Sequence, residues 1–520
     1  MSKRNVLYIP LDDRPVNLSF LRDFGEISGL NVITPPKELL GCFLKKGKCK
    51  DIAEWMKKNK GDVLIVSLDM LLYGGLVASR NPETEKEKAY NLLNYLKEFK
   101  IINPKVKIYA FSNIMRLSIS ISGDESEIWW RKINKYNELR YKVEILEDNT
   151  VGDELKKIIS EIPEEVLSNY LESRKRNHIF NMEAVKLVKE NIIDFLILSQ
   201  EDCSPYGLHW IEHKIINDEV TSQSLNEKVF IYPGADEIGQ ILLARYINDE
   251  SNFYPKVYVV YDNNEFSNRV AKFEDRPLSD NVNEHLKSLG IKIVDNKEDS
   301  DFILAITTPN IPYIDMAEDD MKNYNKNELT KQFVKKIKGY IEEKQVVALA
   351  DLTCSNGGDS FLIDSLKKEN ILLSLAAYSA WNTAGNALGT AIVHGNILSN
   401  LIYKKELTKD SCDKSLKFLL ERYVDDYIYQ SVVRKETINV VKDENLCIFN
   451  MGRTSDEVNS FVENSLTDKA NNLFENSKVN YLDLKGRVKV LNITALLPWN
   501  RTFEVDCSVC AIFQEALNDN

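Results

Sequence analysis

Histidine is scarce. The 520 residues contain five: His178, His209, His213, His285 and His394. His209 and His213 are four apart and can share a helix face, but the zincin pattern needs Glu directly after the first His, where this chain has Trp210. A histidine-built metal site is therefore not expected. Cysteine is scattered: of eight, only Cys507 and Cys510 are close in sequence. They have no second pair or His at zinc spacing and read as two thiols on a C-terminal strand. No apolar run approaches the roughly 18 residues needed to span a bilayer, so no membrane partner is expected. Basic charge is in deficit, with Lys+Arg 67 against Asp+Glu 79 and a net charge of -12. Such a chain repels phosphate backbones, which speaks against nucleic-acid binding.

Other absences narrow the chemistry. No Gly-x-x-x-x-Gly-Lys-Ser/Thr and no Gly-x-Gly-x-x-Gly follows a strand-like run, so the nucleotide folds lose their main support. No Gly-x-Ser-x-Gly elbow is present. Cys203 and Cys354 have no imidazole partner nearby in sequence, although His209 can reach Cys203 if the loop between them folds back. The start, Met1 to Pro10, passes from a short basic stretch straight into a strand-like run. It has no apolar stretch of the roughly 7–15 residues of a secretory signal, so the expectation is a cytosolic chain.

What remains is an ordinary globular composition, 43% hydrophobic and 28% charged, long enough to bury a large core without staples. Nine short runs read as strands: Val6–Ile9, Val63–Leu68, Val106–Phe111, Phe195–Ser199, Val229–Tyr232, Val257–Tyr261, Phe302–Ile306, Val346–Ala350 and Leu372–Ala376. Each is nearly continuous in apolar residues, as parallel strands covered on both faces are, and Lys-, Glu- and Leu-rich helical stretches separate them. The pattern predicts an α/β fold with a (β/α)8-barrel-like core over 1–400. Residues 117–194 form a helical insertion, and 256–308 hold a small α/β unit that takes up the surplus strand. Residues 401–520 make a C-terminal α+β extension. The alternative is two doubly wound α/β domains.

In parallel α/β folds ligands sit beyond the carboxyl ends of the strands, so the residues after each run carry most weight. There stand Asp12, Asp13, Arg14 and Asn17; then Asp69, Tyr73 and Arg80; Asn113 and Arg116; Gln200, Glu201 and Asp202; Asp236 and Glu237. Further on come Asp351, Asn356, Gly357, Gly358 and Asp359, then Tyr378, Trp381, Asn382 and Asn386. With 79 acids, adjacent acid pairs arise by chance, and any one of these is also a plausible helix cap. Their placement is what exceeds chance, since three pairs follow a predicted strand within four residues. Asn356 to Asp359 can be a phosphate cradle or simply a sharp strand-to-helix turn. The aromatic rings and amides at 378–386 suit a sugar's apolar face and hydroxyls, with core packing of Trp381 as the plainer reading.

Leu11 to Asn17, Ser67 to Gly75, Tyr232 to Glu237, Trp381 to Asn386 and Leu497 to Glu504 resemble an uncharacterised bacterial family, domain of unknown function 4127. The resemblance covers nearly the whole chain and implies no established activity. In kind and place, Glu201-Asp202 is also similar to the acid pair of barrel-fold β-N-acetylhexosaminidases. In those enzymes one acid protonates the glycosidic oxygen and the other orients the acetamido group.

These readings lead to an expected glycoside hydrolase acting on a small carbohydrate, N-acetylated sugars included, with no cofactor. Asp202 is the expected acid and Glu201 its partner, with Asp236 and Glu237 in reserve. Asp12, Asp13, Arg14, Asp69, Tyr73, Arg80, Arg116, Asn356, Asp359, Tyr378, Trp381, Asn382 and Asn386 are the expected substrate-binding residues. One alternative is a Mg²⁺- or Mn²⁺-dependent hydrolase or lyase built on Asp12, Asp69, Asp202, Asp236 and Asp351. Another is a sugar-binding protein without turnover.

Overall fold

The computed structural model describes residues 3–317, 327–452, 456–482 and 484–515. The chain forms two compact units. The first comprises Met1–Arg22, Leu30–Leu243 and Phe273–Arg276; the second comprises Asp23–Gly29, Ala244–Lys272 and Pro277–Asn520.

The first unit holds β1 (Asn5–Ile9), β2 (Asn31–Ile33), β3 (Val63–Ser67), β4 (Lys107–Ile114), β5 (Phe195–Gln200) and β6 (Val229–Pro233). They pair in parallel in the order β2-β1-β3-β4-β5-β6. Both faces are buried, which explains the unbroken apolar runs. On one face Leu7, Ile9, Leu64, Val66, Ile108, Leu196 and Leu198 join a single core. On the other, the rings of Tyr109, Phe195 and Phe230 pack in sequence at centroid distances of 5.8 and 5.3 Å.

The second unit holds β7 (Lys256–Tyr261), β8 (Lys292–Ile293), β9 (Phe302–Ile306), β10 (Val347–Ala350) and β11 (Ala377–Ser379). Their order, β11-β10-β9-β7-β8, is again parallel throughout. Counted from its own first strand, this sheet repeats the 2-1-3-4-5 order of the first unit, the doubly wound arrangement whose crevice opens at the reversal of winding. An antiparallel sheet follows, made of β12 (Lys478–Tyr481), β13 (Leu484–Leu496) and β14 (Asp506–Glu515). Cys507 and Cys510 both lie on β14, and all eight cysteines are free thiols.

The fold is thus mixed α/β with parallel sheets and many helices. Among the described residues no pairing joins β2 to β6 or β8 to β11, so a closed barrel is not shown. The expected strand at Leu372–Ala376 is corrected: Leu372–Ser374 is a tight helical turn and the strand begins at Ala377. Leu372, Leu373 and Leu375 are all buried, and an apolar run alone cannot separate a buried turn from a strand. β2, with Asn31 exposed and Val32 and Ile33 half-buried, is too short to give a readable apolar run.

Between β4 and β5 the chain forms three helices, Asp124–Glu144, Gly152–Glu161 and Glu164–Lys189. After residue 400 come helices Lys409–Arg422, Arg434–Asp443 and Asp456–Phe474, the first two joined by a wide π-helical stretch, Tyr423–Val433. No helix among the described residues is long and apolar enough to cross a membrane.

Candidate functional site

In the first unit the winding reverses between β1 and β3; Asp12 stands in the loop after β1, and Asp69 in the first turn of the short helix Leu68–Tyr73 that follows β3 directly. The β1 loop is organised by a buried guanidinium. Arg14, 3% exposed, donates from Nε and Nη2 to Asp12 Oδ2 at 3.0 and 2.7 Å. Its Nη2 and Nη1 also reach Asp236 Oδ1 and Oδ2 at 2.6 and 3.2 Å. Asn17 Nδ2 bridges the same two acids, at 3.0 Å from Asp12 Oδ1 and 2.9 Å from Asp236 Oδ1. Burial raises the Asp236 carboxyl to about 6 even though Arg14 opposes the shift. The loops after β1 and β6 are therefore locked by one ionic knot. Asp13 is buried beside it.

Glu237 folds back onto its own loop and accepts from the Ala235 N–H at 3.0 Å. This brings its carboxylate against Gly234, where a Cβ would stand 1.9 Å from Glu237 Oε1 and φ is +148°. Gly234→Ala is expected to cost about 2–4 kcal/mol through overlap and backbone strain together. A lowered urea midpoint checks it, and an unchanged midpoint would show that Glu237 swings away freely.

The acid pair after β5 is gripped by arginines. Arg80 Nη2 donates to Glu201 Oε1, and its Nη1 to Ser120 Oγ at 2.6 Å. Arg116 Nη2 donates to Asp202 Oδ2, with Nη1 4.0 Å from Glu201. Both arginines are themselves positioned by the helix Glu164–Lys189. Arg174 Nη1 donates to the carbonyls of Met115 and Arg116 at 2.8 and 3.0 Å. Arg176 Nη2 and Asn177 Nδ2 hold the Ser79 carbonyl at 2.5 and 2.9 Å. The insertion thus sets where Arg80 and Arg116 stand, and through them Glu201 and Asp202. Arg174, Arg176 and Asn177 escaped the sequence reading because they are three polar residues in a helix full of them. Only their burial separates them from solvent-facing neighbours.

Asp69 differs from the other acids. It is 1% exposed, and its Oδ2 accepts from the Asn113 N–H at 2.9 Å, while Oδ1 has no partner. Burial raises its carboxyl to about 7; the nearby charge of Glu201 adds to this and the Asn113 N–H works against it. Other buried atoms on residues at or just after the strand ends also lack partners: Asn17 Oδ1, Tyr73 OH, Arg80 Nε and Asn113 Nδ2. Native interiors leave few polar atoms in that state, and each is costly. Asn113 Oδ1 accepts from Ser199 Oγ at 2.5 Å, extending the polar floor from β4 to β5.

Behind Glu201 the loop does fold back. Cys203, His209 and Asp275 bring one ligand-type atom each to within 4.8 Å of one another. Asp275 Oδ2 also accepts from Gln200 Nε2 at 2.7 Å, and Oδ1 from Arg276 Nε at 2.7 Å. Asp275 follows no strand, so nothing in its sequence position marked it.

The remaining expected residues belong to the second unit. Asp351 accepts from Thr307 Oγ1, the Asp359 N–H and Tyr378 OH, and burial raises it to about 6. Asp359 is the N-cap of helix Ser360–Lys368, accepting from the Phe361 and Leu362 N–H groups. The Gly357-Gly358 loop is accordingly a strand-to-helix turn. Asn356 Nδ2 donates to Asp315 Oδ1 at 2.7 Å. Trp381 is buried beside Phe503; Asn382 is half-buried and Asn386 buried, its N–H capped by Thr383 Oγ1. Asp426, on the π-helical stretch, gathers Ser379 Oγ and the Ala380 and Trp381 N–H groups. Asp351 and Asp426 are thus well satisfied and tie their elements together.

The acids named for an oxygen-rich Mg²⁺ or Mn²⁺ site do not form such a cluster among the described residues. Arg14 bridges Asp12 and Asp236, Asp202 pairs with Arg116, and Asp351 lies in the second unit's network.

No curated protein matches the chain. The family described as "Protein of unknown function (DUF4127)" matches residues 6–508, nearly the whole chain, and the chain belongs to that family.

Proposed function

We propose that the carboxyl end of the first unit's sheet hydrolyses the glycosidic bond of a small carbohydrate, N-acetylated sugars included. The observation that carries this reading is Asp69: a buried carboxyl raised to about 7, with Oδ1 unpartnered, among unsatisfied buried donors and acceptors. A proton held near neutral pH is what a general acid needs, and unpaired amide and hydroxyl groups suit sugar hydroxyls.

In this scheme Asp69 passes its proton to the glycosidic oxygen as the carbon–oxygen bond breaks. Glu201, held by Arg80, is the ionised partner that stabilises the developing cation or activates water. The expectation from the sequence gives the proton to Asp202. Its salt bridge to Arg116 supports an orienting role instead, and Asp69 donates the proton. Asn17, Tyr73, Arg80 and Asn113 contact hydroxyls. The reading needs no barrel, since an open doubly wound sheet also places its crevice beyond the strand ends. The eight free thiols accord with the cytosolic setting expected from the sequence.

The test is turnover of a panel of chromogenic glycosides, N-acetylhexosaminides among them, with and without chelator. Turnover that survives chelation is expected. Loss of turnover on chelation favours a metal-dependent hydrolase, and tight sugar binding without turnover favours a binding protein.

A further inference from the structure

We propose that Cys203, His209 and Asp275 hold a zinc-like divalent metal ion that fixes the loop carrying Glu201 and Asp202. The inference is independent of the reaction proposed above.

The three side chains are buried, with His209 1% exposed, and neither of its ring nitrogens has a hydrogen-bond partner. An imidazole buried without a well-formed hydrogen bond at either nitrogen is unusual in a native interior. His209 Nε2 lies 3.5 Å from Asp275 Oδ2, too long for a good hydrogen bond. It is close to the edge of a tetrahedral zinc site, about 3.3 Å for bonds of 2.0–2.1 Å. Sulfur, imidazole nitrogen and carboxylate oxygen together form a donor set that late first-row divalent ions prefer over Mg²⁺ or Ca²⁺. A thiolate and a carboxylate also neutralise a dication.

The arrangement argues against a Cys–His–Asp catalytic relay. In a relay the thiol and the carboxylate use opposite ring nitrogens and stand apart across the imidazole. Here one atom from each residue falls within 4.8 Å of the other two, so the three converge on one point. The thiol is buried and donates to the Phe273 carbonyl at 3.4 Å, out of reach of a substrate.

The supporting contacts are those a metal ligand uses. Asp275 receives Gln200 Nε2 and Arg276 Nε, each at 2.7 Å, which fixes the carboxylate's orientation. Gln200 Oε1 in turn takes Arg276 Nη2 at 2.5 Å and contacts His213 Nδ1 at 3.1 Å. Gln200 ends β5 and Cys203 comes three residues later, so the bound ion would clamp both ends of the segment that presents Glu201 and Asp202.

The experiment is a Co²⁺ titration of the full chain after removal of metal by chelator dialysis. Expected are saturation at one equivalent, a thiolate-to-cobalt charge-transfer band in the near ultraviolet, and bleaching by Zn²⁺. Cys203→Ser should abolish that band. His209→Gln, which keeps the thiol, should weaken Co²⁺ by at least about 100-fold, the upper end of what a lost outer-sphere partner costs. Circular dichroism on both variants confirms that they fold. Absence of saturable binding in the unaltered chain overturns the proposal whatever the variants do. So does a band that persists in folded Cys203→Ser, or one lost instead in a Cys507→Ser/Cys510→Ser double variant.

Discussion

Arg14→Ala should cost about 3–5 kcal/mol, the usual result of removing one partner from a buried ion pair and leaving the other charge uncompensated. The effect is large here because two acids depend on one guanidinium. Asp12 and Asp236 are both buried, and Arg14 engages both oxygens of Asp236 and both oxygens of Asp12, using its backbone N–H for one of them. Arg14→Lys recovers only part of the loss, since an ammonium cannot present a planar fork to two carboxylates. The pH dependence carries a defined sign. Asp236 already sits at about 6 with Arg14 present; without it the carboxyl rises further and takes up a proton more readily. The penalty is therefore fullest above neutrality and shrinks on acidification. Urea midpoints of the unaltered chain and Arg14→Ala at pH 5 and pH 8 measure this. A penalty equal at both pH values would show that the loss is one of packing, not of charge.

The same knot shows what a sequence can and cannot disclose. Asp12, Arg14 and Asp236 were each legible as strand-end residues, because parallel sheets present their loops at one end and polar residues there interrupt apolar runs. That one arginine would bridge two loops 222 positions apart was not legible. It depends on β1 and β6 contributing to one sheet, and strand order leaves no mark on a single sequence. Asp351, Asp359 and Tyr378 are joined by hydrogen bonds within the second unit, and Asn356 pairs there with Asp315. Nine similar apolar runs cannot show where one sheet stops and another begins.

The candidate metal centre was hidden for a different reason. His209 and Cys203 are six residues apart, and their meeting requires the loop to reverse, as the sequence reading allowed. Asp275 completes the set from the segment Phe273–Arg276, whose neighbours 244–272 and 277–520 belong to the second unit. Motif spacing finds ligands that share a helix or hairpin. It does not find one delivered by a four-residue return of the chain. Arg174, Arg176 and Asn177 make the same point from the helical side. Their sequence context resembles any solvated helix, and it is the carbonyls of Ser79, Met115 and Arg116 that assign them work.

Asp69→Asn should lower turnover by about 10²–10⁴-fold while leaving the protein as stable or more stable above neutrality. The two effects have one cause. In the unfolded chain an Asp titrates near its ordinary value of 3.8, whereas in the fold Asp69 is raised to about 7. Between those values the folded state holds a proton that the unfolded state has released, so stability falls as pH rises through the window. The full cost of ionising Asp69 is on the order of 4 kcal/mol, present above about pH 7 and absent below about pH 4. Asparagine never ionises, so the variant escapes this cost, and its amide can retain the contact with the Asn113 N–H through its oxygen. Turnover by the unaltered chain should fall as pH rises through about 7, because the acid loses the proton it must donate. Paired pH profiles of turnover and urea midpoint for both proteins separate a catalytic Asp69 from a structural one. A structural Asp69 predicts an Asn variant that loses stability and activity together. A catalytic one predicts a variant whose turnover is low and no longer falls through about pH 7, and which gains stability relative to the unaltered chain as the medium turns alkaline.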